Sequence, residues 1–243
     1  MKNAVLWFLM CVALPAVALE LQEVTVGGNP QLQPPPESFS DYRAFVVDTE
    51  QSMFVYLAPA LADKASAVAT GWSGLYAIRL EIGGKVYLLH YDEGASDDPT
   101  FIVESPSWGQ EVYLYGEKLF VSAGGNFYLT TRNGNAYNVR QKYSLTDSGL
   151  KEVPQSFYLV DMTCPTTGFT QLYQSPCGGG KKVAAVPAGS EVRVLLQDPN
   201  SACDQPQYLV KTSFGLLGWV GSSAGHLNYS EGQPLGCLRT FGD

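Results

Sequence analysis

Few side chains in this sequence carry reactive chemistry, so their spacing matters. The histidines are His90 and His226. His90 ends a predicted strand beside Asp92 and Glu93, a base next to orienting carboxylates. With so few histidines, a hydrolytic triad has little to build on. Cys164, Cys177, Cys203 and Cys237 contain no C-x-x-C pair, and their spacings are too open for a zinc ribbon or finger. The densest acidic stretch, Asp92-Glu93-Gly94-Ala95-Ser96-Asp97-Asp98, offers the oxygens that calcium takes. Its spacing is not that of a calcium loop, and it reads as a solvated hairpin loop. The expectation is a protein with no catalytic residues, no metal and no cofactor.

The compartment follows from the first residues. Met1-Lys2-Asn3 is a short basic start, Ala4 to Leu14 is apolar, and Pro15-Ala16-Val17-Ala18 supplies the small residues of a cleavage site. Residues 1–18 therefore read as a secretory signal, too short for a spanning helix. Leu9-Met10-Cys11 lacks the small residue that precedes a lipobox cysteine. No other stretch is long and apolar enough to span a bilayer, so no membrane span is expected. Losing the signal removes Cys11 and leaves four cysteines in the last third of the chain. An even count in an exported chain reads as two disulfides. Four cysteines allow three pairings, and nested bridges, Cys164–Cys237 outside Cys177–Cys203, suit a compact unit whose ends meet. The formal charge is −8, with no basic stripe, which disfavours nucleic acid and anionic membrane surfaces as partners. Localisation is expected to be periplasmic or secreted.

These groups must be positioned by strands. The chain holds 25 glycines and 14 tyrosines against 15 lysines and arginines, a balance that favours strands and turns over long helices. Residues 19–40, with Pro34-Pro35-Pro36, read as a stiff Pro/Gly-rich leader. Residues 41–155 read as an antiparallel β-meander, a sandwich or open barrel. Ala-rich Leu57 to Ala69, with Pro59 as a first-turn residue, is the one helix candidate. Gly83-Gly84 turns one alternating run into the next. The same grammar recurs at Gly116-Glu117, Gly124-Gly125, Asn133-Gly134 and Asp147-Ser148-Gly149. Tyr87, Tyr91, Tyr113, Tyr115, Phe127, Tyr128, Tyr137 and Tyr143 place about half their rings inward by alternation, and the rest on ordinary sheet surface.

Residues 164–237 form a second unit. Leu172 to Pro176 is a strand entry, and Lys182 to Val186 is a strand. Pro187-Ala188-Gly189-Ser190 turns into its paired strand Glu191 to Leu195. Tyr208 to Thr212 follows, then a glycine turn at Gly215 and Gly218 leads to Trp219-Val220. Leu172, Pro176, Val183, Gly189, Val192, Val194, Leu195, Gly218, Trp219 and Val220 match the order of the bacterial SH3-like (SH3b) domain, which this region resembles. The match covers less than a quarter of the chain. Two positions depart from that pattern: Gln171 to Gln174 replaces an Asn-x-Arg, and Gln207-Tyr208 replaces a tryptophan. The resemblance implies a small barrel, here braced by two disulfides that each contribute about 2–4 kcal/mol. It also implies a ligand surface around Tyr173, Tyr208 and Trp219.

The expected architecture is thus all-β, an N-terminal antiparallel meander followed by a disulfide-braced SH3-like barrel. The expected function is exported, non-catalytic binding in the bacterial envelope, with a cell-wall peptide, peptidoglycan or an envelope protein as partner. The alternative is a periplasmic inhibitor or immunity-type protein that blocks an exported hydrolase. Cell-wall peptidases that carry SH3-like domains use a Cys-His pair in a separate domain, and residues 40–155 contain no such pair.

Overall fold

Among the described residues the strands form three large sheets and one two-stranded parallel pair. The computed structural model describes residues 21–25, 35–48, 53–69, 76–93, 99–131, 137–223, 225–226 and 233–240. The expected signal, the acidic residues 94–98 and the Asn133-Gly134 turn lie outside them. In chain order the strands begin with β1 (Glu23–Val24), β2 (Arg43–Asp48), β3 (Met53–Leu57), β4 (Ser66–Ala69) and β5 (Tyr76–Ile82). Next come β6 (Lys85–Asp92), β7 (Thr100–Glu104), β8 (Val112–Tyr115), β9 (Lys118–Val121) and β10 (Asn126–Thr131). Then follow β11 (Val139–Thr146), β12 (Gly149–Glu152), β13 (Tyr158–Pro165), β14 (Thr170–Ser175) and β15 (Gly179–Val186). The last are β16 (Glu191–Asp198), β17 (Gln207–Thr212), β18 (Leu217–Gly221), β19 (Gly225–His226) and β20 (Arg239–Thr240).

A seven-stranded sheet runs β1-β2-β3-β9-β10-β11-β12, and a five-stranded sheet runs β4-β5-β6-β7-β8. They enclose one apolar cluster. Val55, Leu57, Leu119, Phe127 and Leu129 from the first meet Ile78, Leu80, Leu89, Phe101 and Leu114 from the second. The expected meander holds for the five-stranded sheet alone. In the other sheet β3 and β9 are parallel, and the whole five-stranded sheet is the excursion between them.

Gly116-Glu117 is therefore not a hairpin. The chain crosses there from the edge of one sheet to the middle of the other. Gly116 N–H donates to the Pro99 carbonyl and Glu117 N–H to that of Thr130. A Cβ on Gly116 would lie 2.6 Å from the Thr130 oxygen, so only glycine passes. The Ala-rich helix shrinks to one turn, α1 (Pro59–Ala62). Ala67 and Val68 beyond it pair with Ile78 and Ala77, and sheet pairing overrides the helix tendency of so short a segment.

The leader reading also changes. Glu23 and Val24 pair with Phe45 and Ala44, and a 3₁₀ turn at Glu37–Phe39 lies on the outer face of the seven-stranded sheet. There the Phe39 ring stacks on Phe120 at 4.6 Å and lies 5.1 Å from Tyr128. The residues of β3 that face away from the main core, Phe54 and Tyr56, thus find a second apolar cluster with Ala44 and Phe120.

The third sheet has six strands, β13-β16-β17-β18-β14-β15. Val192, Val194, Tyr208, Val210, Leu172 and Val220 make its core, joined by Tyr137 and Val139 from the end of the preceding unit. The strands read as a hairpin, β15 and β16, are not paired with each other. β15 lies against β14, while β16 takes β13 and β17. The turn between them is tied instead to the chain after β13: Gly189 N–H donates to the Thr166 carbonyl and Thr166 N–H to that of Ser190. β13 is a strand additional to those expected from the sequence. The disulfides pair as expected, Cys164 with Cys237 and Cys177 with Cys203, with Cα separations of 5.2 and 5.4 Å. The fold is all-β with two disulfides, and none of its sheets closes into a barrel among the described residues. Among those residues no helix is long and apolar enough to cross a membrane.

Candidate functional site

The residues of the third sheet that turn away from its core form a continuous apolar row. Leu159 pairs with Leu196, Leu196 with Leu209, Leu209 with Trp219, and Trp219 with Tyr173. Directly paired residues project from the same face of a sheet, so these five side chains line up across five strands. Two bulges keep the row in phase. The register shifts between Leu159 and Met162 and between Val194 and Leu196, which turns Leu196 outward although Val194 points inward. Leu159 is 46% exposed, and Phe157 lies with its ring 5.9 Å from that of Trp219.

Charges lie around the row, Lys182 at its β15 end and Lys211 and Arg193 beside it. Lys182 pairs with Tyr173, Lys211 with Leu217 and Arg193 with Lys211. Arg193 is held by Asp161 at 2.6 Å. The turn between β17 and β18 projects Phe214, 88% exposed, with Leu216 and Leu217 also exposed. This turn is fixed by its own bonds. Gly215 N–H donates to the Thr212 carbonyl, Thr212 N–H to the Leu216 carbonyl, and Leu216 N–H to Thr212 Oγ1.

Beside Tyr173 lies a surface cleft of about 720 Å³. Phe169, Gln171, Tyr173, Asp204, Gln205 and the Cys177–Cys203 bridge are among its lining residues. Tyr173 donates its hydroxyl to Gln171 Oε1 at 2.8 Å. Gln207, buried at the base, accepts from Cys177 N–H and donates to the Gln205 carbonyl.

Of the three residues expected to form the ligand surface, the structure brings two together. Tyr173 and Trp219 are cross-strand partners on the outer face. Tyr208 is corrected: it is 1% exposed on the opposite face, packed in the core with Val210 and Tyr137. The signal was present in the strand itself. In Tyr208-Leu209-Val210-Lys211 the lysine fixes the outward parity, which sends Leu209 out and Tyr208 in. Burial pushes the Tyr208 hydroxyl above the usual tyrosine range, and does the same more strongly to Tyr137. The sequence reading missed Leu159, Leu196, Phe157 and Phe214, because the bulges and the edge strand that align them leave no local mark.

His90 is half-buried on the outer face of the five-stranded sheet, paired with Ile102, while Tyr87, Leu89 and Tyr91 point into the core. Among the described residues no cluster of three or more histidine, cysteine, aspartate or glutamate side chains is placed to hold a metal ion. Compared with known protein families, curated proteins and solved structures, the chain matches none.

Proposed function

We propose that this is an exported, non-catalytic binding protein of the bacterial envelope, periplasmic or secreted, and that its SH3-like third sheet holds a partner. The observation that carries this reading is the row from Leu159 to Tyr173. An apolar, aromatic-ended strip lies across five strands on the face opposite the core, with Leu159 at its far end exposed. Such a strip, rimmed by Lys182, Lys211 and Arg193, is the composition of a recognition surface. The partner is a cell-wall peptide, peptidoglycan or an envelope protein.

The second reading, an inhibitor or immunity-type protein that blocks an exported hydrolase, draws on Phe214. A single aromatic ring on a turn pinned by three hydrogen bonds is a preformed anchor for a partner's pocket. Co-sedimentation with purified sacculi, set beside pull-down from periplasmic extract, separates the two readings. Wild-type protein that pellets with sacculi while Trp219→Ala stays in solution supports the first. Capture of a hydrolase that Phe214→Ala abolishes supports the second. A chain that does neither refutes both.

A further inference from the structure

The two disulfides differ in their setting. Cys164 is fully buried, and Cys237, half-buried, packs against the same core. Cys177 is exposed in the β14–β15 turn and Cys203 half-buried in the polar loop after β16. Neither belongs to a core cluster, and both line the cleft beside Tyr173. Cys177 (φ +57°) and Gly178 (φ +67°) are the central residues of the β14–β15 hairpin turn, closed by Gly179 N–H donating to the Pro176 carbonyl. Besides the bridge, side-chain bonds tie this wall among the described residues. Cys177 N–H donates to Gln207 Oε1, Gln207 Nε2 to the Gln205 carbonyl, and Asn200 Nδ2 to the Gln155 carbonyl.

We propose that Cys177–Cys203 is a redox-sensitive latch on the cleft, opened by a dithiol while Cys164–Cys237 keeps the core closed. A thiolate of the dithiol attacks the exposed Cys177 sulfur and expels Cys203 as a thiolate. The second thiol of the reductant resolves the mixed disulfide. Two electrons and two protons pass to the protein, both cysteines end as thiols, and the dithiol ends as a disulfide. Access governs the rate of such exchange, so the bridge through the buried Cys164 reacts more slowly than the one through the exposed Cys177. Once reduced, the wall around Cys203 swings free, while the β14–β15 turn, closed by its own Gly179 to Pro176 bond, and the sheet stay intact. The latch rests on the cleft's geometry alone, so it stands or falls apart from the identity of any partner.

The test uses the full oxidised chain and dithiothreitol under native conditions, with timed alkylation, peptide mapping and hydrogen exchange. The expected result is alkylation of Cys177 and Cys203 about tenfold or more faster than that of Cys164 and Cys237. Exchange should rise in residues 199–206 and stay constant in the β14–β15 turn, β16 and β17. The double variant Cys177→Ser with Cys203→Ser should show the same exchange pattern without reductant. Concerted reduction of both bridges, reduction of Cys164–Cys237 first, or unchanged exchange around the cleft would overturn the proposal.

Discussion

Replacing Phe39 by alanine tests whether the segment before β2 belongs to the fold. Its ring sits 4.6 Å from Phe120, 5.0 Å from Tyr42 and 5.1 Å from Tyr128, closing an outer-face cluster that also holds Tyr56. Truncating a fully buried phenylalanine costs about 3–5 kcal/mol. Phe39 is only half-buried, so we expect about 2 kcal/mol, a shift of roughly 4–8 °C in Tm for a chain of this size. Phe39→Leu keeps much of the area but loses the edge and stacking geometry, each aromatic pair contributing about 0.5–1.5 kcal/mol, and should fall between the two. The exposed neighbour Ser40→Ala should stay within about 0.5 kcal/mol of wild type. Urea unfolding followed by tyrosine fluorescence measures all four proteins. A Phe39→Ala midpoint equal to that of wild type would refute the reasoning, because the segment would then be an unattached leader.

Other outcomes follow from the same geometry. Gly116→Ala places a methyl 2.6 Å from the Thr130 carbonyl and should destabilise by about 1–3 kcal/mol, whereas Gly109→Ala, facing open space, should be near neutral in calorimetry. Burial holds Tyr137 and Tyr208 protonated above the usual range and pushes Tyr143 up to about 12. The folded state then binds these protons more tightly than the unfolded chain, so their contribution is intact below about pH 10 and is lost as pH rises from there through the folded values. Tyrosinate absorbance should accordingly show a delayed class that ionises together with alkaline unfolding. All tyrosines titrating near 10 in the folded protein would contradict this. Cys164→Ser should be more damaging than Cys203→Ser in urea midpoint. The outer bridge closes the longer loop, with a separation of 73 against 26, and chain entropy gives about 4.4 against about 3.5 kcal/mol. Equal losses would show that the buried setting of Cys164 adds nothing.

What could be read from the chain was local. Gly83-Gly84 and Gly124-Gly125 mark real turns because both sides alternate and the left-handed glycines Gly83, Gly84 and Gly125 stand where the turns need them. The cysteine pairing followed from a unit whose ends meet, and the Leu235 bridge to Thr166 shows them meeting. What failed depended on partners distant in sequence. The crossing at Gly116 looks like a hairpin until β3 is known to lie beside β9. Tyr137 looks like part of the first unit, yet its hydroxyl donates to Gln197 Oε1 sixty residues on, and the ring fills the core of the third sheet. At the candidate site, Trp219 and Tyr173 were legible from residue type, but their row needed the registers of β13, β16 and β17, set by two bulges that no local pattern announces.

The outer face of the third sheet is the centre of this account, and binding by Trp219→Ala measures it most directly. Sacculi and envelope extract serve as probes, and circular dichroism establishes that the variant is folded. A central tryptophan in a recognition surface contributes about 2 kcal/mol or more, so the account predicts a loss of roughly thirtyfold or greater in apparent affinity. A folded Trp219→Ala protein that binds as tightly as wild type would contradict it.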